Sequence, residues 1–345
     1  MTEDRERELQ STAREMVAEG KGILAADESN STMTKRLDSV DVESSSETRL
    51  RFRELLFTTE GAAEHISGVI MYDETIRQTA SGGEPIPKLL EGLGMIPGIK
   101  VDMGAKPLAG AEGETITEGL DGLRERLAEY RELGARFAKW RAVIAIDGQL
   151  PSRYCISTSA HALARYAALC QEAGIVPIVE PEVMMDGDHS IDRSEQVTGE
   201  TLRAVFTELL DQRVILEGIV LKPNMVLSGY DSPQPAGVEE VARRTLQLLS
   251  RVVPAAVPGI AFLSGGQSDE LATAHLNAMN ELGGVPWELT FSYGRALQAS
   301  PLKAWGGEES NVVAAQAAFA HRARCNGKAR FGRYTSELEQ ELSAA

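Results

Sequence analysis

The chain is short of residues that several common protein classes require, and each shortage excludes something. Cysteine occurs three times in 345 residues, at Cys155, Cys170 and Cys325. The number is odd, the spacings are wide and no Cys-x-x-Cys pair exists. A disulfide framework or a thiolate zinc ribbon is therefore not expected, and the thiols read as small, reduced, buried residues. The five histidines, His65, His161, His189, His275 and His321, form no pair with one another at helical ligand spacing, so no metal is expected. Basic residues are a minority, 35 Lys and Arg against 51 Asp and Glu, and the formal net charge is −16. Nucleic acid and anionic membrane surfaces both favour basic partners, so neither is an expected partner. No run approaches the roughly 18 apolar residues of a membrane helix. The first residues, Met1-Thr2-Glu3-Asp4-Arg5-Glu6, are acidic and lack an apolar core, so no secretory signal is expected and a cytoplasmic location is.

Apolar residues, by contrast, make up 43% of the chain, enough for a sizeable core. No linker, repeat or low-complexity segment divides it. Short β-rich runs alternate with amphipathic stretches, the pattern of a parallel sheet with crossover helices. The spacing predicts strands at Ile23–Asp27, Ile66–Tyr72, Ile99–Asp102, Ala138–Ile146, Val176–Glu182, Gly218–Pro223, Ile260–Ser264 and Leu289–Tyr293. Eight such strands favour an α/β fold of the closed (β/α)8 type, a TIM barrel, over an open sheet. An additional N-terminal helix, with Leu9, Ala13, Met16 and Val17 on one face, is expected to end at Gly20 and pack outside the barrel. The expected organisation is one barrel domain over 1–345, with 335–345 as a C-terminal tail.

The cations that are present sit in unusual places. Four successive strands carry polar pairs at i, i+2: Lys100/Asp102, Lys139/Arg141, Glu180/Glu182 and Lys222/Asn224. Strand side chains alternate, so each pair projects from one face, and in a barrel the pairs converge on its C-terminal mouth. Asp27 closes the first strand in the same way. Taken singly, each has a bland alternative, a snorkelling lysine or a glutamate paired with a neighbouring arginine. Four together are harder to dismiss, because ionisable groups are rarely buried without partners. Lys222 near Lys139 and Arg141 would have its charged form disfavoured, leaving a free amine to attack a carbonyl. Glu180 could move protons for the dehydration that gives an iminium. Asp186-Gly187-Asp188-His189 suggests an oxygen-rich cation loop, but it lacks the downstream ligands of a calcium loop and reads as a polar turn.

Two glycine-bearing junctions follow the seventh and eighth strands. Ser264-Gly265-Gly266-Gln267-Ser268 leads into a helix beginning near Asp269, and Ser292-Tyr293-Gly294-Arg295 leads into Ala296-Leu297-Gln298. Glycine lets the backbone approach a ligand, free amides at a helix N-terminus favour an anion, and Arg295 adds a possible bidentate contact. Either junction alone could be an ordinary turn; their joint placement points to phosphate.

These segments, together with Gly20-Lys21-Gly22-Ile23-Leu24-Ala25-Ala26-Asp27-Glu28-Ser29 and Leu221-Lys222-Pro223-Asn224-Met225, resemble the class I, Schiff-base-forming fructose-1,6-bisphosphate aldolases. The likeness runs from the first helix to about Tyr334. It implies a metal-independent, cofactor-free lyase of glycolysis and gluconeogenesis, working on sugar phosphates and assembled as a homo-oligomer, often a tetramer. It implies that Lys222 forms the Schiff base, that Glu180 is the main acid–base residue with Glu182 beside it, and that Asp27 takes the C4 hydroxyl proton. Lys139 keeps the site cationic. Ser264, Gly265, Gly294 and Arg295 match phosphate positions, and Arg36, Thr32 and Lys100 match the second phosphate or the sugar chain. Arg141, Gly266 and Ser292 complete the expected substrate-binding set. Two departures stand out. Thr32 replaces the serine of many relatives, and the chain ends Leu342-Ser343-Ala344-Ala345 where many animal members end in a functional tyrosine. Proton transfer to the enamine is therefore expected from within the barrel, and Tyr334 is expected to pack the tail against it.

Overall fold

The computed structural model describes residues 2–340; Met1, Glu341 and the terminal Leu342-Ser343-Ala344-Ala345 lie outside the described residues. Eight parallel strands close into a barrel in sequence order: β1 (Gly22–Ala26), β2 (Ile66–Met71), β3 (Ile96–Lys100), β4 (Phe137–Ile144), β5 (Val176–Val183), β6 (Val220–Leu221), β7 (Gly259–Phe262) and β8 (Glu288–Tyr293). β8 pairs back onto β1, with Ile23 opposite Ser292. No helix among the described residues is long and apolar enough to cross a membrane.

Alternation along each strand sorts the side chains. On β4, Ala138 and Trp140 face the helix layer, where the Trp140 ring lies 5.5 Å from that of Tyr166. Phe137, two residues before Lys139 on the same face, belongs instead to a cluster with Ile23, Ala25, Val176, Ile178 and Val220. That cluster fills the lower barrel interior. Phe137 fits there because Gly68 and Gly98 on β2 and β3 lack side chains; an added Cβ would approach its ring to 2.9 and 2.2 Å.

The N-terminal helix, Glu3–Met16, packs outside the ring of strands, under its lower end. Leu9, Ala13, Met16 and Val17 join the interior cluster, and the Ser67 hydroxyl donates to the Met16 carbonyl at 2.5 Å. The barrel bottom exposes apolar strand starts, so an amphipathic helix there seals them from water. One difference from the expected elements is an antiparallel pair, Ala105–Pro107 with Thr115–Thr117, that has no clear sequence signal. Its threonine hydroxyls pin it to the rim, Thr115 donating to the Val143 carbonyl and Thr117 to that of Arg141.

Most barrel strands stop short of their expected last residue. β1 ends before Asp27, β3 before Asp102, β6 before Lys222 and β7 before Ser264. Past the end of the ladder, these polar residues line the mouth.

Candidate active site

The mouth opens into a cavity of about 1250 Å³. Its floor is a row of alternating charge. Lys139 Nζ, on β4, lies 2.6 Å from Asp27 Oδ2 and 3.4 Å from Glu180 Oε2. Glu180, on β5, reaches Lys222 Nζ with its other oxygen at 3.1 Å. All four side chains are buried. Burial alone would raise the Asp27 carboxyl, but Lys139 and Lys222 outweigh it and hold it at about 2. Burial alone would lower Lys139, but Asp27 and Glu180 raise it above the ordinary lysine range. Glu182, one alternation above Glu180, pairs with Arg141; burial still lifts its pKa above the ordinary value. Lys100 holds Asp102 at 2.8 Å across the adjoining rim.

Around this floor the cavity is lined by Thr32, Arg36, Lys100 and Arg141 on one side and by Ser264, Gly265, Ser292, Gly294 and Arg295 on the other. The two glycine junctions meet: Arg295 Nη2 donates to the Gly265 carbonyl at 2.6 Å. Gly265 has φ +65, a backbone conformation in which any other residue would be strained, and a Cβ there would also displace the tip of Met185. Ser268 caps the helix Asp269–Leu282 by accepting from the Leu271 amide. The buried Ser292 hydroxyl has no hydrogen-bond partner, in keeping with a group awaiting a ligand.

The chain as a whole is similar to known proteins. The family model for fructose-bisphosphate aldolase class I matches residues 8–345. The chain belongs to the class I fructose-bisphosphate aldolases. It is 56% identical over 328 residues to a probable fructose-bisphosphate aldolase class 1 of Xanthomonas campestris, covering 95% of this chain and 98% of that one. A muscle-type fructose-bisphosphate aldolase of the lamprey Lethenteron camtschaticum is 53% identical over 336 residues, 97% of this chain and 93% of its own. The solved fructose-bisphosphate aldolase of Plasmodium falciparum, in complex with TRAP and a small-molecule inhibitor, superimposes with a TM-score of 0.96 at 47% identity, covering 97% of each chain.

Within this class I aldolase, some side chains are not where strand alternation alone would put them. Asn224, the partner of Lys222 in the fourth polar pair, is turned away from the cavity. β6 ends at Leu221, before Lys222. The Asn224 amide then braces the backbone, accepting from the Val183 amide and donating to Thr198. The nearest charged partner of Lys222 is the carboxylate of Glu180, whereas Arg141 is engaged by Glu182. Gly266 stands beside the cavity, its amide already donating to the Tyr230 hydroxyl at 2.8 Å.

Two contributors escape sequence reasoning. Glu28 should point away from Asp27 by strict alternation, yet β1 has already ended. Its buried carboxylate accepts from Arg36 and from Gln298 Nε2, tying the rim of β1 to the helix after β8. Tyr230 comes from the loop after β6 and braces the glycine turn after β7, a long-range contact with no local signal. Among the described residues, the one grouping of three His, Cys or carboxylate side chains with convergent ligand atoms is His321, Cys325 and Glu339. It lies on the outer helix Val312–Ala329 and the tail, not in the mouth.

Proposed function

We propose that this chain reversibly cleaves fructose 1,6-bisphosphate to dihydroxyacetone phosphate and glyceraldehyde 3-phosphate through a Schiff base on Lys222. The observation that carries this reading is the buried row Asp27–Lys139–Glu180–Lys222 in a cavity also lined by Arg36, Lys100 and Arg295. Lys222 adds to the C2 ketone, and Glu180, 3.1 Å away, shuttles the protons that turn the carbinolamine into an iminium and water. Asp27 is anionic at neutral pH and takes the C4 hydroxyl proton. The C3–C4 electron pair flows into the iminium, giving an enamine on Lys222 and the free aldehyde. Protonation at C3 and hydrolysis of the new iminium release dihydroxyacetone phosphate. Lys139, cationic throughout, keeps Asp27 and Glu180 charged and placed. Gly265, Gly294 and Arg295 would hold one phosphate, and Arg36, Thr32 and Lys100 the other.

Borohydride with dihydroxyacetone phosphate should trap a covalent adduct on Lys222, and chelator should leave cleavage intact. Mapping the adduct to another lysine, or loss of cleavage with chelator, would overturn the assignment. A ketose-phosphate lyase with another substrate would share this chemistry; a substrate panel separates the two, and two sets of basic lining residues favour the bisphosphate. The resemblance also carries a homotetramer in the cytoplasm, which sedimentation and fractionation would test.

A further inference from the structure

The helix Val312–Ala329 places His321 and Cys325 one turn apart on one face, both buried, at 7% and 1% exposure. Beyond it the chain turns at Gly332 and doubles back. The Tyr334 amide donates to Asn277 Oδ1, its ring packs on the core, and its hydroxyl donates to Glu339 Oε1 at 2.8 Å. This brings Glu339 Oε2 to 3.3 Å from His321 Nε2, and Cys325 Sγ lies 3.6 Å from the same nitrogen. All three ligand atoms lie within 4.8 Å of one another.

As a hydrogen-bond cluster, the arrangement has one nitrogen, Nε2, facing both Glu339 Oε2 and Cys325 Sγ. A cation at the centre would take one ligand atom from each of the three side chains. Zinc bonds of about 2.0–2.3 Å place tetrahedral neighbours about 3.3–3.8 Å apart, the range of both contacts to Nε2. Thiolate and carboxylate would neutralise the dication, with the Cys325 proton released to solvent. Arg322 Nη1 donates to the same Glu339 oxygen, Oε2, while its Nη2 is held by the Asp269 carbonyl at 3.1 Å and Thr273 Oγ1 at 2.7 Å. It can therefore serve as the outer partner that orients a ligating carboxylate.

We propose that His321, Cys325 and Glu339 bind a zinc-type divalent cation that clips the tail to the helix Val312–Ala329. The site is independent of the lyase reading, since none of the three lines the cavity. The test uses the full chain, stripped with chelator, desalted and titrated with zinc against a chromophoric chelator, then with cobalt(II). One equivalent should bind, and the cobalt form should show a sulfur-to-metal charge-transfer band that Cys325→Ser abolishes. Glu339→Gln, on the tail and outside the packed core, should weaken zinc by roughly 10- to 100-fold and keeps the test valid if the cysteine variant misfolds. Absence of stoichiometric binding, or binding unchanged in Glu339→Gln, would overturn the proposal. Zinc affinity is read directly, so neither result depends on sugar-phosphate cleavage.

Discussion

Below the level of Ile178 the barrel interior is apolar, with Ile23, Phe137, Val176 and Val220 in contact around one axis. One alternation higher on several of the same strands stand Lys139, Glu180, Asp27 and Lys222, equally buried and all ionisable. The lower half is held by shape, since the Phe137 ring occupies space that Gly68 and Gly98 leave open. The upper half is held by charge balance, in which each group is tolerable only while its neighbour is present. Stability and reactivity are thus separated by height along common strands. Substitutions in the lower half should cost stability and spare the chemistry, whereas those in the upper half should abolish the chemistry at a smaller cost in stability.

The widest separation is expected for Lys222→Met. Cleavage should fall by at least about 10⁴-fold and borohydride trapping should vanish, while the protein stays folded with a smaller loss of stability than Phe137→Ala, since Glu180 keeps Lys139 as a partner. Phe137→Ala should do the reverse. Its cavity should cost about 3–5 kcal/mol in urea unfolding, with trapping on Lys222 preserved in the folded protein. An intact urea midpoint, or lost trapping, would mean that the halves are not separable.

Arg295→Ala should weaken substrate binding by about 1.5–3 kcal/mol, read as a higher KM, with a smaller change for a ketose lacking the phosphate it holds. Equal losses on both substrates would make Arg295 structural.

The charge balance itself is tested with acid. Asp27 is held at about 2, below its ordinary 3.8, so its contribution is present in full above about pH 4 and lost as pH falls through about 2. A shift of this size corresponds to about 2 kcal/mol. The stability gap between wild type and Asp27→Asn should therefore shrink between pH 4 and pH 2; a constant gap would place its origin in packing. The smallest effect is expected at Tyr230, which braces the Gly266 amide. Tyr230→Phe removes one hydrogen bond, about 0.5–1.5 kcal/mol, so KM should rise a few-fold at unchanged kcat. A fall in kcat alone would instead connect Tyr230 to the row beneath.

Much of the barrel was legible because its signals are local. A period of two places Phe137, Lys139 and Arg141 on one face and Trp140 on the other. Apolar runs bounded by glycine locate all eight strands within a few residues. The same rule failed where the ladder stops: Asn224 follows Lys222 by two residues but lies beyond the end of β6 and turns to the backbone of Val183. The antiparallel pair at Ala105–Pro107 and Thr115–Thr117 was missed because three-residue strands pinned by threonine hydroxyls carry too little periodicity to read.

The sequence by itself determined the eight-strand barrel and the polar residues near its strand ends, since both follow from spacing along a single element. Only the tertiary structure decided which charge meets which: Lys222 with Glu180, Arg141 with Glu182, Glu28 with Arg36. It also decided that the first helix lies under the barrel, that Tyr230 braces Gly266, and that Glu339 returns to His321 and Cys325. The physical reason is range. Periodicity sets the face on which a side chain emerges, whereas a contact across the closed barrel depends on strand stagger, loop paths and packing that no neighbouring residues encode.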